Sequence, residues 1–587
     1  MSRIIIFSPY ACRKHLTAYE GTIAKACQVR DATVDYLLCD GLLPECDMHW
    51  DSFTYDRPRP FDLCIRCQAG AKARMAEYDL PYRWLGEFVG EAERSRIFDW
   101  TQSLPPSEMT NASYMGYPIG EWVLSSVVSY FRQYPPDMNN WRVVNVYRGF
   151  LYSACIVAIG LKIYVETFSF DSALLFNGRQ SITRVAFEIF QQHGIRVLTH
   201  ETPFYQRGHL MVKPNARCWS NEPFIEFWKS RGQVALTRSK LEKTLKWLIN
   251  RRYGKGLSWY AFNNPYIRSV SIKKELNLSQ NKRLFALFTS STDETAGDPE
   301  LQGPYESQSS WVQDVVHWVG SRKEVELVVR VHPHLAGKTG LGKSVDEYNY
   351  YRDMKSILPN NTRIIMPDDP LNSYALMDEA DICLSFGSSV GIEMAMLGKP
   401  VILGSRSFYE TGSHIMTIRS KDSHAEMLEK SLEPFSHREI RREAFRLAYY
   451  YVFEFEIPFH MVSMVDVMDV KLNYAAPNEL APGKDDTLDH ICNYLLTGQK
   501  LFDPPTEEEL ARTIEDENEF FEELEKSPDM MRDIAYEQLL QRANRWNGFG
   551  RSIQSAFQRL PFGTGNIIDK MGKSIYLPFL RWMGRRI

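Results

Sequence analysis

Residues 379–404, EADICLSFGSSVGIEMAMLGKPVILG, constrain the fold more than any other part of the sequence. An apolar strand ends at Phe386, a turn of small residues follows, and a helix begins that Gly398 and Pro400 stop before another apolar strand. A strand, a tight turn, a helix and a second strand are the repeating unit of a parallel sheet. The segment therefore predicts an α/β domain.

The same alternation of short apolar runs with helical patterns occurs in two series along the chain. The first series has its apolar runs at 3–8, 32–41, 171–179 and 194–201, and the second at 283–291, 325–333, 362–367, 381–386 and 400–404. We predict an α/β protein with two doubly wound, Rossmann-like domains that face a cleft. The predicted parts are a first domain over 1–215, a helical connector over 216–279, a second domain over 280–470 and a helical tail over 471–587.

Composition and apolar run lengths limit the classes of function and the cellular compartment that we expect. A net charge of −4 over 587 residues argues against a surface built to hold nucleic acid, so we expect no nucleic-acid partner. Only four consecutive large apolar residues precede Pro9, too few for the apolar region of a signal peptide. The longest apolar run, 150–165, is interrupted and shorter than the roughly 20 residues of a membrane-spanning helix. We expect a cytoplasmic protein.

The turn GSSVG (387–391) is a candidate phosphate site. It places backbone N–H groups and the hydroxyls of Ser388 and Ser389 where a helix begins, and the positive end of a helix favours an anion. Glu393, one turn further on, could accept hydrogen bonds from ribose or a sugar. The alternative is that the small residues only cap the helix.

Two further strand ends carry polar side chains of the same kind. Arg330 and His332 end one strand before Pro333, and Ser290 lies in FTSSTDE (288–294) at the end of another. Ligand-binding groups in α/β sheets gather at the carboxyl ends of strands, although a single histidine there is often structural. Three such ends in one domain favour a binding site.

These motifs resemble a known family. The run VVRVHP followed by PLNSYALMDEADICLSFGSSVGIEMAMLGKPVILG, within residues 280–410, is similar to the donor-binding half of two-domain (GT-B type) glycosyltransferases. The similarity is to the capsule polysaccharide biosynthesis proteins, which include bacterial Kdo transferases, and more distantly to the CDP-glycerol glycerophosphotransferases. In the first domain HLTAYEGTIAKAC, LLCDGLLPEC, CIRC and LLFNGRQSITRVAFEIFQQHGI resemble the other half of surface-polysaccharide transferases.

The resemblance implies a nucleotide-sugar donor bound in the second domain and a glycan or lipid-linked acceptor entering from the first. The implied donor-binding residues are Arg330, His332, Ser290, Ser388, Ser389 and Glu393. Cationic groups and a helix end can stabilise a leaving phosphate without a catalytic metal, so we expect none. His332 is predicted to act in catalysis as one of these groups.

The acceptor side has its own candidate residues. Transfer with inversion needs a base for the acceptor hydroxyl, and Glu20 or His15, near the start of the first helix, are the candidates. Glu20 could instead only interact with the helix dipole. Asn177 and Arg179 end a buried strand and could bind the acceptor, or Arg179 could pair with a carboxylate.

Four cysteines of the first domain predict a structural zinc site. Cys64 and Cys67 have the spacing of a zinc knuckle, and Cys39 with Cys46 would supply two more thiolates. Such a closed site would brace a loop and leave no position for substrate. The alternatives are an iron–sulfur cluster with the same ligands or four ordinary thiols.

The tail is divided by charge. Residues 501–540 hold fourteen acidic side chains against three basic ones, whereas 541–587 hold nine basic side chains against one acidic. The basic part carries aromatic residues, which suits the surface of an anionic bilayer, and this would make the protein peripheral on the inner face of the plasma membrane. The alternative is docking of this part within the chain itself.

Two other functions are compatible with these features. Nucleotide-sugar 2-epimerases use similar two-domain folds with a phosphate-binding turn and a following glutamate, but they need no external acceptor. A carbohydrate-binding scaffold with a degenerate site is the non-enzymatic alternative, against which the intact set of Arg330, His332, Ser388 and Glu393 counts.

Overall fold

A computed structural model describes residues 1–48, 62–203, 205, 207–252, 271–337, 344–465 and 469–526. The chain divides into two compact units, Met1–Phe521 and Glu522–Ile587.

Strands and helices alternate through most of the first unit. The strands are β1 (Arg3–Phe7), β2 (Thr33–Leu38), β3 (Tyr82–Trp84), β4 (Ser172–Phe176), β5 (Arg196–Glu201), β6 (His209–Pro214), β7 (Arg283–Phe288), β8 (Val325–Arg330), β9 (Thr362–Ile365), β10 (Ile382–Ser385), β11 (Val401–Leu403), β12 (Ile415–Thr417), β13 (Glu456–Pro458), β14 (Val462–Met464) and β15 (Val470–Leu472). The α-helices are α1 (Lys14–Val29), α2 (Leu63–Tyr78), α3 (Glu91–Ser103), α4 (Ile119–Phe131), α5 (Trp141–Thr167), α6 (Ser181–Gln192), α7 (Glu222–Arg231), α8 (Arg238–Arg252), α9 (Ile272–Glu275), α10 (Thr292–Thr295), α11 (Gln308–Gly320), α12 (Val345–Met354), α13 (Ser373–Glu379), α14 (Val390–Met396), α15 (His424–Lys430), α16 (His437–Tyr449), α17 (Asp486–Thr497), α18 (Glu507–Leu510) and α19 (Glu515–Lys526).

Two sheets of Rossmann type organise the chain. The first has the order β13-β6-β5-β4-β1-β2-β3, in which β1 to β5 are parallel, and the second has the order β12-β11-β10-β7-β8-β9 with all strands parallel. Both contain the doubly wound order 3-2-1-4-5, whose direction reverses beside the first strand of each series. The predicted fold class, two doubly wound α/β sheets on one chain, is confirmed.

The longest helix, α5, is part of the core of the first sheet. By length and composition alone α5 could cross a membrane, but 72% of its most apolar 18-residue stretch is buried inside the protein. Tyr147, Phe150 and Leu151 are completely buried and belong to the same apolar cluster as Phe7 of β1. This burial is the pattern of a core helix.

The chain returns to the first sheet after completing the second. β13 adds to the outer edge of β6 in antiparallel register, with Ile457 opposite Leu210. Further on, α17 packs against the first sheet, where Arg196 of β5 donates to the carbonyl oxygens of Tyr494 and Leu495 at 2.9 Å each. The segment predicted to belong only to the second domain (280–470) therefore supplies a strand to the first sheet, and part of the predicted tail covers that sheet.

The described part of the acidic tail is bonded to the body of the protein. Glu517 of α19 is completely buried and accepts hydrogen bonds from Nε and Nη2 of Arg446 at 2.9 and 2.7 Å. The backbone N–H of Leu236 donates to the same carboxylate at 2.8 Å. The part of the acidic segment around Glu517 is therefore packed into the fold through this buried carboxylate.

Candidate functional site

The carboxyl ends of the two sheets meet at one place. Arg179, which follows β4, donates from Nη2 to the carbonyl oxygens of Asp293 and Ala296, at 3.0 and 3.4 Å, in the segment that follows β7. β4 and β7 are inner strands of their sheets and both lie at the point where strand order reverses. Open α/β sheets bind ligands at such points, so the junction is the candidate functional site.

Three arginines, Arg132 and Arg179 of the first domain and Arg217 just after β6, form an interdomain arginine cluster at this junction. All three are at most 6% exposed. Arg217 contacts Asp298 at 2.8 Å and Glu300 at 2.7 Å, and Nε of Arg179 lies 3.9 Å from Asp298. Arg132 donates to the hydroxyl of Ser291 at 3.1 Å and contacts the carboxylate of Asp293 at 3.4 Å. These contacts join the two domains through buried charges.

The residues predicted to bind the acceptor are engaged inside the protein in this structure. Asn177 adopts φ +60°, a left-handed conformation that asparagine tolerates, and its amide donates to Glu201 at 2.6 Å. Its side-chain oxygen accepts the backbone N–H of Arg179 at 2.8 Å. Asn177 shapes the turn after β4, and Arg179 extends from it to the other domain.

The predicted base, Glu20, is buried beneath the strand ends. Its carboxylate accepts from the hydroxyl of Ser8 at 2.6 Å and lies 3.1 Å from Nε2 of His200, and Glu20 is 1% exposed. His15, the other candidate, is 8% exposed. His200 was not among the predicted site residues, because a histidine within a strand pattern gives no signal that it faces a carboxylate 180 residues away.

Two of the predicted donor-binding residues, Ser290 and Arg330, form hydrogen bonds to loops that follow strands of the second sheet. The hydroxyl of Ser290 donates to the carbonyl of Phe386 at 2.7 Å, which ties the end of β7 to the end of β10. Arg330 donates to the carbonyl of Met366 and to the hydroxyl of Ser373. Burial lowers the pKa of Arg330 to about 10. In this structure both side chains fix loops.

His332 lies half-buried at the junction beside a second histidine. Its backbone N–H donates to the hydroxyl of Thr289 at 2.9 Å, and its Nδ1 accepts from the backbone N–H of His334 at 3.3 Å. The carboxylate of Glu294 lies 3.7 Å from Nδ1 of His334, and 44% of the Glu294 side chain is exposed. Burial lowers the pKa of His332 to about 4, so its imidazole is neutral at pH 7.

The lowered pKa of His332 predicts a measurable loss of stability in acid. The unfolded chain takes up this proton near pH 6.5, whereas the folded protein resists it to about pH 4, so stability decreases as the pH falls between these values. The free energy of unfolding of the wild type should fall between pH 7 and pH 5. In His332→Gln, which lacks this titrating group, we expect that fall to be about 1 to 2 kcal/mol smaller. Urea unfolding at the two pH values measures this, and parallel losses in both proteins would contradict it.

The predicted phosphate turn has the expected backbone, but its glutamate has an unexpected partner. Gly387 adopts φ +75°, which favours glycine, and α14 begins at Val390. Glu393 is 2% exposed, and Arg251 of α8 donates to its Oε1 from Nε at 2.9 Å and from Nη2 at 2.7 Å. Nη2 of Arg251 also donates to the hydroxyl of Ser389 at 3.0 Å, whereas the hydroxyl of Ser388 accepts from the Val390 N–H at 3.4 Å.

The arrangement of the cysteines does not support the zinc prediction. Cys39, Cys46, Cys64 and Cys67 do line one small cavity. However, Cys64 and Cys67 lie on the helix α2 and not in a knuckle turn, and Sγ of Cys67 is 3.4 Å from Sγ of Cys12. Among the described residues no group of three or more His, Cys, Asp or Glu side chains is arranged to hold a metal ion.

The predicted membrane-binding segment, residues 541–587, lies outside the described residues. Contact of this segment with an anionic bilayer stays a prediction.

No protein-family model matches the sequence, and no curated protein gives a significant match to it. Solved structures do give matches. A beta Kdo 2,4 transferase, KpsC of Thermosulfurimonas dismutans, is 17% identical over 55% of this chain and 87% of its own, with a TM-score of 0.33. The spinosyn rhamnosyltransferase SpnG is 11% identical over 76% of this chain and 95% of its own, with a TM-score of 0.23.

The matches also include the rival enzyme class. A putative UDP-N-acetylglucosamine 2-epimerase from Listeria monocytogenes is 10% identical over 86% of this chain and 98% of its own, with a TM-score of 0.25. Transferases and epimerases are thus both among the structures to which this chain is similar.

Proposed function

We propose that the chain is a glycosyltransferase that moves a sugar from a nucleotide-activated donor to a glycan or lipid-linked acceptor. The observation that carries the proposal is the junction itself, where the carboxyl ends of inner strands from two Rossmann-type sheets meet. Such a junction can hold a donor on one sheet and an acceptor on the other. A role in bacterial capsule-type polysaccharide synthesis is supported by the resemblance of residues 280–410 to that family.

The proposed reaction is a displacement at the anomeric carbon. The acceptor hydroxyl oxygen attacks this carbon, the bond from the carbon to the phosphate oxygen breaks, and the nucleotide leaves with the electron pair. The proton of the hydroxyl passes to a base. Ser389 and the neutral imidazole of His332 are proposed to donate hydrogen bonds on the donor side, where negative charge develops on the leaving phosphate.

For the base we propose Glu294 in place of Glu20. Glu20 is buried and bonded to Ser8 and His200, so it does not reach an acceptor in this structure. Glu294 follows β7 at the junction, is partly exposed and lies 3.7 Å from His334. We assign Glu20 the role of a positioning residue that holds α1 against the ends of β1 and β5.

A panel of nucleotide sugars tests the proposal. Purified protein is incubated with each donor, with and without glycan or lipid-linked acceptors, and release of CMP, UDP or GDP is followed together with the glycan product. Transfer of the sugar supports the proposal. Epimerised sugar nucleotide without a glycan product would show the isomerase, and tight binding of donor and acceptor together without turnover would show the scaffold.

We expect His332→Ala and Glu393→Ala each to lower turnover by at least about a hundredfold, since removing one preorganised stabilising group commonly has this effect. Glu294→Gln should lower turnover to a similar extent, because the amide cannot take the proton. His317→Ala, which removes an exposed histidine of α11, is the control. Near-wild-type turnover in the first two variants would refute the site.

A further inference from the structure

The cation at the phosphate turn comes from outside the second sheet. Arg251 is in the last turn of α8, and its side chain is 13% exposed. The centre of its guanidinium lies 5.2 Å from the ring centroid of Trp247 and 5.2 Å from that of Tyr205. Aromatic faces at this distance attract and orient a guanidinium. Arg251 is therefore held in one place by two rings.

Glu393 completes the fixing of this arginine. Oε1 receives both Nε and Nη2 of Arg251, and Oε2 accepts the hydroxyl of Tyr374 at 3.0 Å. Both oxygens of a carboxylate that is 2% exposed are thus used within the protein. Because Glu393 is buried, a ribose could reach it only if Arg251 or Tyr374 moved away, which would leave a buried charge or hydroxyl without its partner.

The other terminal nitrogen atoms of Arg251 are less fully engaged than the side that faces Glu393. Nη2 reaches the hydroxyl of Ser389 at 3.0 Å, and Nη1 makes no hydrogen bond to any residue that the structure describes. A guanidinium that is oriented by a carboxylate on one edge presents its other N–H groups in a fixed geometry that suits phosphate oxygens. Arg330, the cation predicted from the sequence, instead donates to Met366 and Ser373.

We propose that Arg251 binds a phosphate of the nucleotide donor together with Ser389, and that Glu393 and Tyr374 are positioning residues for Arg251 and do not bind ribose. The inference rests on the proposed function, of which it names the phosphate-binding cation. It also makes α8, a helix of the connector, part of the donor site.

Binding of nucleotides and of their nucleosides tests the inference. Calorimetry is performed with UDP, GDP and CMP and with uridine, guanosine and cytidine, and the nucleotide that the wild type binds most tightly is compared with its nucleoside. We expect Arg251→Ala to raise the Kd of the nucleotide at least tenfold and that of the nucleoside less than twofold. Arg251→Lys, which keeps the charge but not the fork, should lie between the two.

Variants of Glu393 separate the two roles of this carboxylate. If Glu393 positions Arg251, Glu393→Gln weakens binding of the nucleotide and leaves binding of the nucleoside unchanged. Equal weakening of nucleotide and nucleoside would show that Glu393 binds ribose and would overturn the inference. Since Arg251→Ala leaves Glu393 buried without its cation, the double variant Arg251→Gln with Glu393→Gln removes both charges together, and it should show the same selective loss.

Lys246→Ala is the matched control, because it removes one positive charge from the exposed face of the same helix. It should change neither Kd. If Arg251→Ala binds the nucleotide with the same Kd as the wild type, the inference is overturned. The proposed function would still stand in that case, provided that the protein transfers sugar from a donor. A wild type that binds no nucleotide more tightly than its nucleoside would overturn both.

Discussion

Replacing Asp298 with alanine is expected to lower the free energy of unfolding by about 3 to 5 kcal/mol, the cost of removing one partner from a buried ion pair. Asp298 is 1% exposed and lies 2.8 Å from Nη1 of Arg217 and 3.9 Å from Nε of Arg179. Without this carboxylate two arginines at the domain junction lose a counter-charge in a place that water hardly reaches. Chemical unfolding followed by circular dichroism measures the difference.

Asp353→Ala is the control for Asp298→Ala. Asp353 contacts Arg352 on an exposed surface, where 70% of its side chain is accessible, and exposed pairs contribute little. We expect a change within about 0.5 kcal/mol. A loss below about 1 kcal/mol for Asp298→Ala would mean that the interdomain arginine cluster does not depend on this carboxylate.

Replacing Glu517 with alanine should have an effect of the same size, about 3 to 5 kcal/mol. Its carboxylate has no exposed surface and holds Arg446 through two hydrogen bonds and the N–H of Leu236 through a third. Alanine would leave a buried guanidinium and a buried N–H without their acceptor. The same unfolding measurement checks this expectation.

Glu519→Ala removes an equal charge from the exposed face of the same helix and is the control. It should leave the unfolding free energy within about 0.5 kcal/mol of the wild type. Equal stability of the Glu517 and Glu519 variants would show that the acidic segment is not anchored by the buried carboxylate.

Elements that depend on neighbours in sequence could be predicted. The strands β1, β2, β4, β5 and β7 to β11 all lie within predicted apolar runs. The period of apolar side chains is a local property, so it can be read from the chain alone. By contrast, β13 has three residues and pairs with a strand about 247 positions earlier, for which no local pattern exists.

The candidate site was predictable in part, for the same reason. The turn with Ser388 and Ser389 and the following Glu393 are adjacent in sequence, so their motif is visible. Arg251 meets them from 142 positions away, and its pattern is that of an ordinary basic helix. Asn177 and Arg179 have partners within the protein that the sequence did not reveal, because a polar strand end looks the same whether its partner is a ligand or another part of the protein.

The return of the chain through β13 has a consequence for synthesis. While the ribosome is still making the second sheet, β6 is the outer strand of the first, and its backbone N–H and C=O groups on that side have no partner. An open edge of this kind invites pairing with other chains. A fragment cut after residue 215 would keep this edge permanently, together with the apolar surface that α17 covers. The first domain can therefore complete its fold only after β13 and α17 have been synthesised.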